Sequence, residues 1–75
     1  MSVTVYTTPN CVQCNATKKH LDRRSIAYEV VDLSENPDKL EMFLSQGLRT
    51  APIVVTDNGI WSGYRPAEID AIDKE

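Results

Sequence analysis

Two β-branched runs flanking a stretch without glycine or proline are the tightest constraint on how this chain folds. Val3-Thr4-Val5-Tyr6 alternates like a strand, Thr7-Thr8-Pro9-Asn10 supplies turn and capping chemistry, and residues 12–24 run on as a helix before Ile26-Ala27-Tyr28-Glu29-Val30-Val31 resumes strand composition. A strand, a helix and a second strand at this spacing make a βαβ unit with parallel strands, because the helix carries the chain back to its starting edge. Asn10 offers a side-chain acceptor near the helix start, and Lys18, Lys19, Arg23 and Arg24 crowd the end where the dipole favours cations. Cys14, Thr17 and Leu21 share one face of that helix, whereas Cys11 sits at or just before its first turn. One cysteine faces inward and the other out.

Asn36 is placed to cap and Pro37 to open a second helix, with Leu40, Phe43 and Leu44 at i, i+3, i+4 and Gly47 as its stop. Thr50-Ala51-Pro52 leads into Ile53-Val54-Val55-Thr56, a third strand. Asp57-Asn58-Gly59 is the strongest hairpin signal in the chain, so Ile60-Trp61-Ser62 is expected to fold back antiparallel beside it. A last helix opens at Pro66 and packs Ile69 and Ile72. The predicted order is β-α-β-α-β-β-α, an α/β arrangement with a four-stranded mixed sheet flanked by helices. No repeat, low-complexity tract or linker interrupts it, so residues 1–75 are read as a single domain.

Composition narrows the function classes. A chain of 75 residues buries only ~60% of its unfolded surface, which leaves little room for a large substrate cavity. Asp+Glu 11 against Lys+Arg 8 gives a net charge of -3 and no basic footprint for nucleic acid. No run approaches the ~18 apolar residues of a membrane helix, and Met1-Ser2-Val3-Thr4 lacks the charged start and apolar block of a signal peptide, so a cytoplasmic location is expected. Two cysteines are too few to staple a secreted scaffold, and a reducing compartment disfavours a structural bridge.

The spacing Cys11-Val12-Gln13-Cys14 must then be explained chemically. A CxxC opening the helix of a βαβ unit is the context of a redox motif. A sulfur at a helix N-terminus meets unpaired N–H groups and the positive end of the dipole, which lowers its pKa toward neutrality and makes Cys11 the natural nucleophile. Cys14, one turn on and less exposed, is the resolving thiol. No Lys, Arg or His lies between Thr7 and Cys14, so a reductant is expected in place of a strong oxidant. Other readings stand beside this one. The pair could supply half a zinc site, although His20 is the single histidine and a closed site would need a second chain. An iron–sulfur cluster bridged between two chains through Cys11 is a variant of that idea, and two inert core cysteines are a third.

At these residues the chain resembles the glutaredoxin and thioredoxin superfamily, and within it the NrdH-redoxin branch, over essentially its whole length. Cys11-Val12-Gln13-Cys14 followed by Asn15-Ala16-Thr17-Lys18 is similar to the active-site helix of that branch, and Trp61-Ser62-Gly63-Tyr64-Arg65-Pro66 to its W-S-G-[FY]-R-P signature. The resemblance implies the smallest form of the thioredoxin fold, which the order of elements also matches, and a disulfide oxidoreductase acting as an electron carrier; a monomer is expected. It implies that no cofactor is bound, NADPH being used indirectly through thioredoxin reductase. It also implies delivery of electrons to ribonucleotide reductase through that enzyme's large subunit. By the same resemblance Pro52 is cis and faces the CxxC, with the Ala51 backbone presented to a substrate strand, although only ~5–6% of X-Pro bonds in folded proteins are cis. Ser62 and Arg65 are expected to hold the Trp61–Pro66 loop in shape near the site, with Gly63 in the turn and exposed apolar surface meeting the reductase.

Departures from the glutathione-dependent relatives are equally pointed. The position ahead of Cys11 is not basic, and where the anchor for the glutathione amino group is expected stand Pro66 and Ala67, which cannot accept its hydrogen bonds. Glu68 lies further into the helix, and glutathione is therefore expected to be a poor reductant. For Trp61 a packing role on an edge strand competes with a docking role, and for Tyr6 and Tyr64 packing competes with flanking the cysteines. The cluster Lys18, Lys19, Arg23 and Arg24 reads most simply as a solvated face.

Overall fold

A computed structural model describes residues 3–57 and 59–72; Asn58 of the hairpin signal, and Met1 and Ser2 of the chain start, lie outside them. The elements are β1 (Thr4–Thr7), α1 (Val12–Arg23), β2 (Glu29–Asp32), α2 (Pro37–Ser45), β3 (Ile53–Thr56), β4 (Gly59–Ser62) and α3 (Pro66–Asp70), with a 3-10 turn at Leu33–Glu35. The sheet order is β2-β1-β3-β4. β1 and β2 run parallel, while β1–β3 and β3–β4 are antiparallel. This is the thioredoxin-like α/β fold expected from the order of elements.

Strand alternation divides the apolar residues between two faces. Val5, Val54 and Trp61 point to one side and pack with Leu21 of α1 and Ile69 and Ile72 of the C-terminal segment. Ile53 points to the other side and packs with Leu33 and Phe43, joined by Tyr6, Leu40 and Val55. Helices α1 and α3 therefore cover one face of the sheet and α2 the other. Among the described residues no helix is long and apolar enough to cross a membrane.

Several boundaries differ from the sequence reading. The second strand starts at Glu29, not Ile26, because the backbone of Ile26 is used to close α1: its N–H reaches Leu21 O at 3.0 Å and Ser25 N–H reaches Asp22 O at 3.0 Å. That pairing is a Schellman motif with Ser25 in the left-handed region at φ 58. Asn36 stands at the N-cap of α2 but makes no capping bond. Its Nδ2 donates to Asp32 O at 2.8 Å instead, bracing the 3-10 turn. Leu44 is 46% exposed, so α2 is anchored by Phe43, at 2%. Tyr28 donates to Asp22 Oδ1 at 3.1 Å; burial first, then that bond and the Asp22 charge, hold its phenol above the ordinary tyrosine value.

Candidate functional site

Sheet register decides which loops meet. Tyr6 of β1 lies opposite Ile53 of β3, and Ile53 lies opposite Ser62 of β4. The end of β1, the start of β3 and the end of β4 are thus side by side, and the segments beyond them converge at one edge of the sheet: Cys11 through Cys14, Ala51-Pro52 and Gly63-Tyr64.

Cys11, not Asn10, occupies the N-cap of α1, with extended backbone at φ -104, ψ 106. Asn10 instead takes the left-handed conformation at φ 58 that turns the chain out of β1. The Cys11 Sγ accepts the Cys14 N–H at 3.1 Å, one of the donors left unpaired in a helix's first turn. Cys11 and Cys14 form a disulfide across that turn, with Cα atoms 5.2 Å apart. Cys14 is 2% exposed while neighbouring Val12 is 81% exposed, and Cys11 is partly exposed between them. An electrophile or partner thus reaches the site from the Cys11–Val12 side.

The Ala51–Pro52 peptide bond is cis. Pro52 is buried and Ala51 partly exposed. Pro52 O accepts the Gly63 N–H at 2.8 Å, and the Tyr64 N–H donates to Gln13 Oε1 at 3.0 Å. Gly63 has φ +83, and a Cβ there would lie 3.3 Å from that same Gln13 Oε1. One short loop is therefore pinned to the proline on one side and to the CxxC helix on the other.

The pinning atoms are not those expected. Among the described residues the side chains of Ser62 and Arg65 make no hydrogen bond; Arg65 contributes its carbonyl, which accepts from Glu68 N–H at 3.1 Å and Ile69 N–H at 3.2 Å to start α3. Gln13 does the tethering, and its signal in the sequence was only its place inside the CxxC. Trp61 is 8% exposed and belongs to the core, which is the packing role. Tyr6 packs edge-on against Phe43, ring centroids 4.8 Å apart. Among the described residues no group of three or more His, Cys, Asp or Glu is placed to hold a metal ion.

Comparison with known proteins agrees with this geometry. A family model described as Glutaredoxin matches residues 3–61. The glutaredoxin-like protein NrdH of Salmonella typhimurium is 40% identical over 72 residues, which is 96% of this chain and 89% of that one. Its counterpart in Lactococcus lactis is 39% identical over 67 residues, 89% of this chain and 93% of that one. The solved structure of the NrdH-redoxin from Escherichia coli, a glutaredoxin-like protein with a thioredoxin-like activity profile, matches with a TM-score of 0.95 at 35% identity, covering 100% of this chain and 99% of that one. A sheet that brings a helix-capping Cys11–Cys14 disulfide beside a cis proline, in a chain this similar throughout, belongs to the glutaredoxin family and within it to the NrdH redoxins, whose chemistry is thiol–disulfide exchange.

Proposed function

We propose that the protein is a dithiol electron carrier, reduced by thioredoxin reductase at the expense of NADPH and serving as hydrogen donor to ribonucleotide reductase through its large subunit, as a monomer in the cytoplasm. The observation that carries this reading is the asymmetry of the disulfide: a partly exposed Cys11 at the helix cap and a buried Cys14 one turn on.

In the forward direction the Cys11 thiolate attacks one sulfur of the client disulfide. That S–S bond breaks, and the first client sulfur leaves as a thiolate that takes up a proton. The client is now joined to Cys11 as a mixed disulfide. Cys14 loses its proton and attacks the Cys11 Sγ, forming the Cys11–Cys14 bond and releasing the second client thiol. Two electrons and two protons have passed to the client, and the reductase returns them. The Cys14 N–H that meets the Cys11 sulfur, with the positive end of the helix dipole, favours it as the attacking and leaving thiolate. Ala51 and the Gly63-Tyr64 backbone frame the client strand, and exposed Val12 provides apolar contact beside the reacting sulfur.

The preference for thioredoxin reductase over glutathione is supported by where Glu68, the acidic side chain in the first turn of α3, lies. Glu68 lines a cleft of about 180 Å³ with Thr56, Gly59, Ile60 and Trp61, toward the hairpin end of β4 and away from its Ser62 end, where the disulfide is. It is therefore poorly placed to receive the amino group of a glutathione bound at Cys11. The test is NADPH consumption during reduction of an artificial disulfide, run with thioredoxin reductase and, separately, with glutathione plus glutathione reductase. Turnover with the first system alone is expected; turnover with glutathione alone would make the protein an ordinary glutaredoxin.

A further inference from the structure

The far half of α1 carries a polar cluster that the disulfide chemistry does not use. His20 Nδ1 lies 2.9 Å from the Tyr64 hydroxyl and His20 Nε2 lies 2.9 Å from Asp70 Oδ1. The His20 side chain is only 14% exposed, against 56% for Asp70. Arg24 donates to the Asp70 carbonyl at 3.3 Å, and its Nε is 3.8 Å from Asp70 Oδ1. The imidazole and phenol rings meet edge-on, with centroids 5.9 Å apart.

Donor and acceptor rules orient this chain of bonds. A carboxylate only accepts, so His20 Nε2 carries the hydrogen that goes to Asp70. In the neutral ring Nδ1 is then the acceptor, and the Tyr64 hydroxyl donates to it. Asp70 thereby fixes the tautomer, and the tautomer fixes the tyrosine.

Tyr64 is also the residue whose backbone N–H is held by Gln13, next to Cys14. One residue of the loop is thus gripped twice by the same helix, at Gln13 and again two turns later at His20. Its neighbour Gly63 is held by Pro52 at 2.8 Å. We infer that His20, oriented by Asp70, is a positioning residue: through the Tyr64 hydroxyl it sets the place of the Gly63-Tyr64 backbone against Pro52 and Gln13, and so the shape of the surface that a protein disulfide meets at Cys11. This rests on the reading of that loop as part of the docking surface. His20 touches no reacting atom; its effect is on recognition of a protein client, not on the sulfur chemistry.

The test is steady-state reduction of insulin with dithiothreitol as terminal reductant, which removes any dependence on the reductase. His20→Ala and Tyr64→Phe are expected to raise KM for insulin about three- to tenfold, the worth of one hydrogen bond, with kcat little changed. Tyr64→Phe keeps the ring and the Gln13 bond, so it remains informative if His20→Ala folds poorly. His20→Gln, whose amide carries both an acceptor oxygen and a donor NH2, is expected to recover part of the loss. Variants that melt at lower temperature yet keep the wild-type KM would overturn the inference, because that is the result of a tie that only stabilises. If the wild-type protein itself reduces no insulin, the functional reading falls and this inference with it, whereas an active wild type with unaltered variants removes this inference alone.

Discussion

The two ends of α1 are built on opposite terms. At its start the cap is a cysteine sulfur, a weaker acceptor than the oxygen of the Ser, Asp or Asn that helices prefer, and the first turn holds no acidic residue to complement the dipole. At its finish the local devices accumulate: a Schellman closure, basic Arg23 in the last turn, Leu21 fully buried and Ile26 at 8% exposure sealing the corner. The difference separates reactivity from stability along one helix. The N-terminal end leaves its donors free for sulfur, and its geometry is restored from outside by the Gln13–Tyr64 and Gly63–Pro52 bonds.

That contrast can be broken most severely at the cysteines. Cys11→Ser is expected to abolish disulfide reduction, while Cys14→Ser retains attack and stalls as a mixed disulfide with the client, visible by mass spectrometry. Full activity in Cys11→Ser would reverse the assigned roles. The fold itself should tolerate Cys11→Ser, since a hydroxyl is the better cap; urea titration against the reduced wild type, with equal or higher stability expected, checks this.

A smaller break lies across the loop. Gly63→Ala forces a side chain into the left-handed region and brings its Cβ to 3.3 Å from Gln13 Oε1. A loss of about 1–2 kcal/mol in urea unfolding is expected. Unchanged stability would mean that the loop is not held as tightly as its two backbone hydrogen bonds, to Pro52 and Gln13, imply.

The finest test sharpens the anchored end. Helix α2 closes with the same motif, Gly47 N–H to Leu44 O at 3.0 Å and Leu48 N–H to Phe43 O at 2.9 Å, but there the left-handed residue is a glycine at φ 82. Ser25 occupies the equivalent place in α1. Ser25→Gly is expected to raise stability by about 0.5 kcal/mol, the relief of left-handed strain offset by added freedom of the unfolded chain. A loss instead would show that the serine side chain contributes to the closure.

What the sequence disclosed follows the range of the forces involved. The order of elements and the CxxC at a helix mouth were legible because periodicity, proline, glycine and capping act over a few residues. The start of β2 was misplaced because Ile26 carries strand composition but spends its backbone on the helix closure. The face of α2 was overdrawn at Leu44, where helical spacing says which residues align but not how wide the covered stripe is. Gln13 and His20 were missed for a different reason: their partners Tyr64 and Asp70 lie 51 and 50 residues away. No local rule reports a contact of that kind. The proline was different again, since only family resemblance pointed to the cis bond that the structure contains.

The crosslink itself joins residues three apart within one helical turn. A crosslink this local ties no second element, so opening it does not require one element to move past another, and the overall shape is not what the bond controls. A donor and an acceptor must each tell the charged from the empty carrier by touch, at the few atoms around Cys11 and Val12. A second protein surface that fits those atoms closely is then the means by which electrons are given a direction.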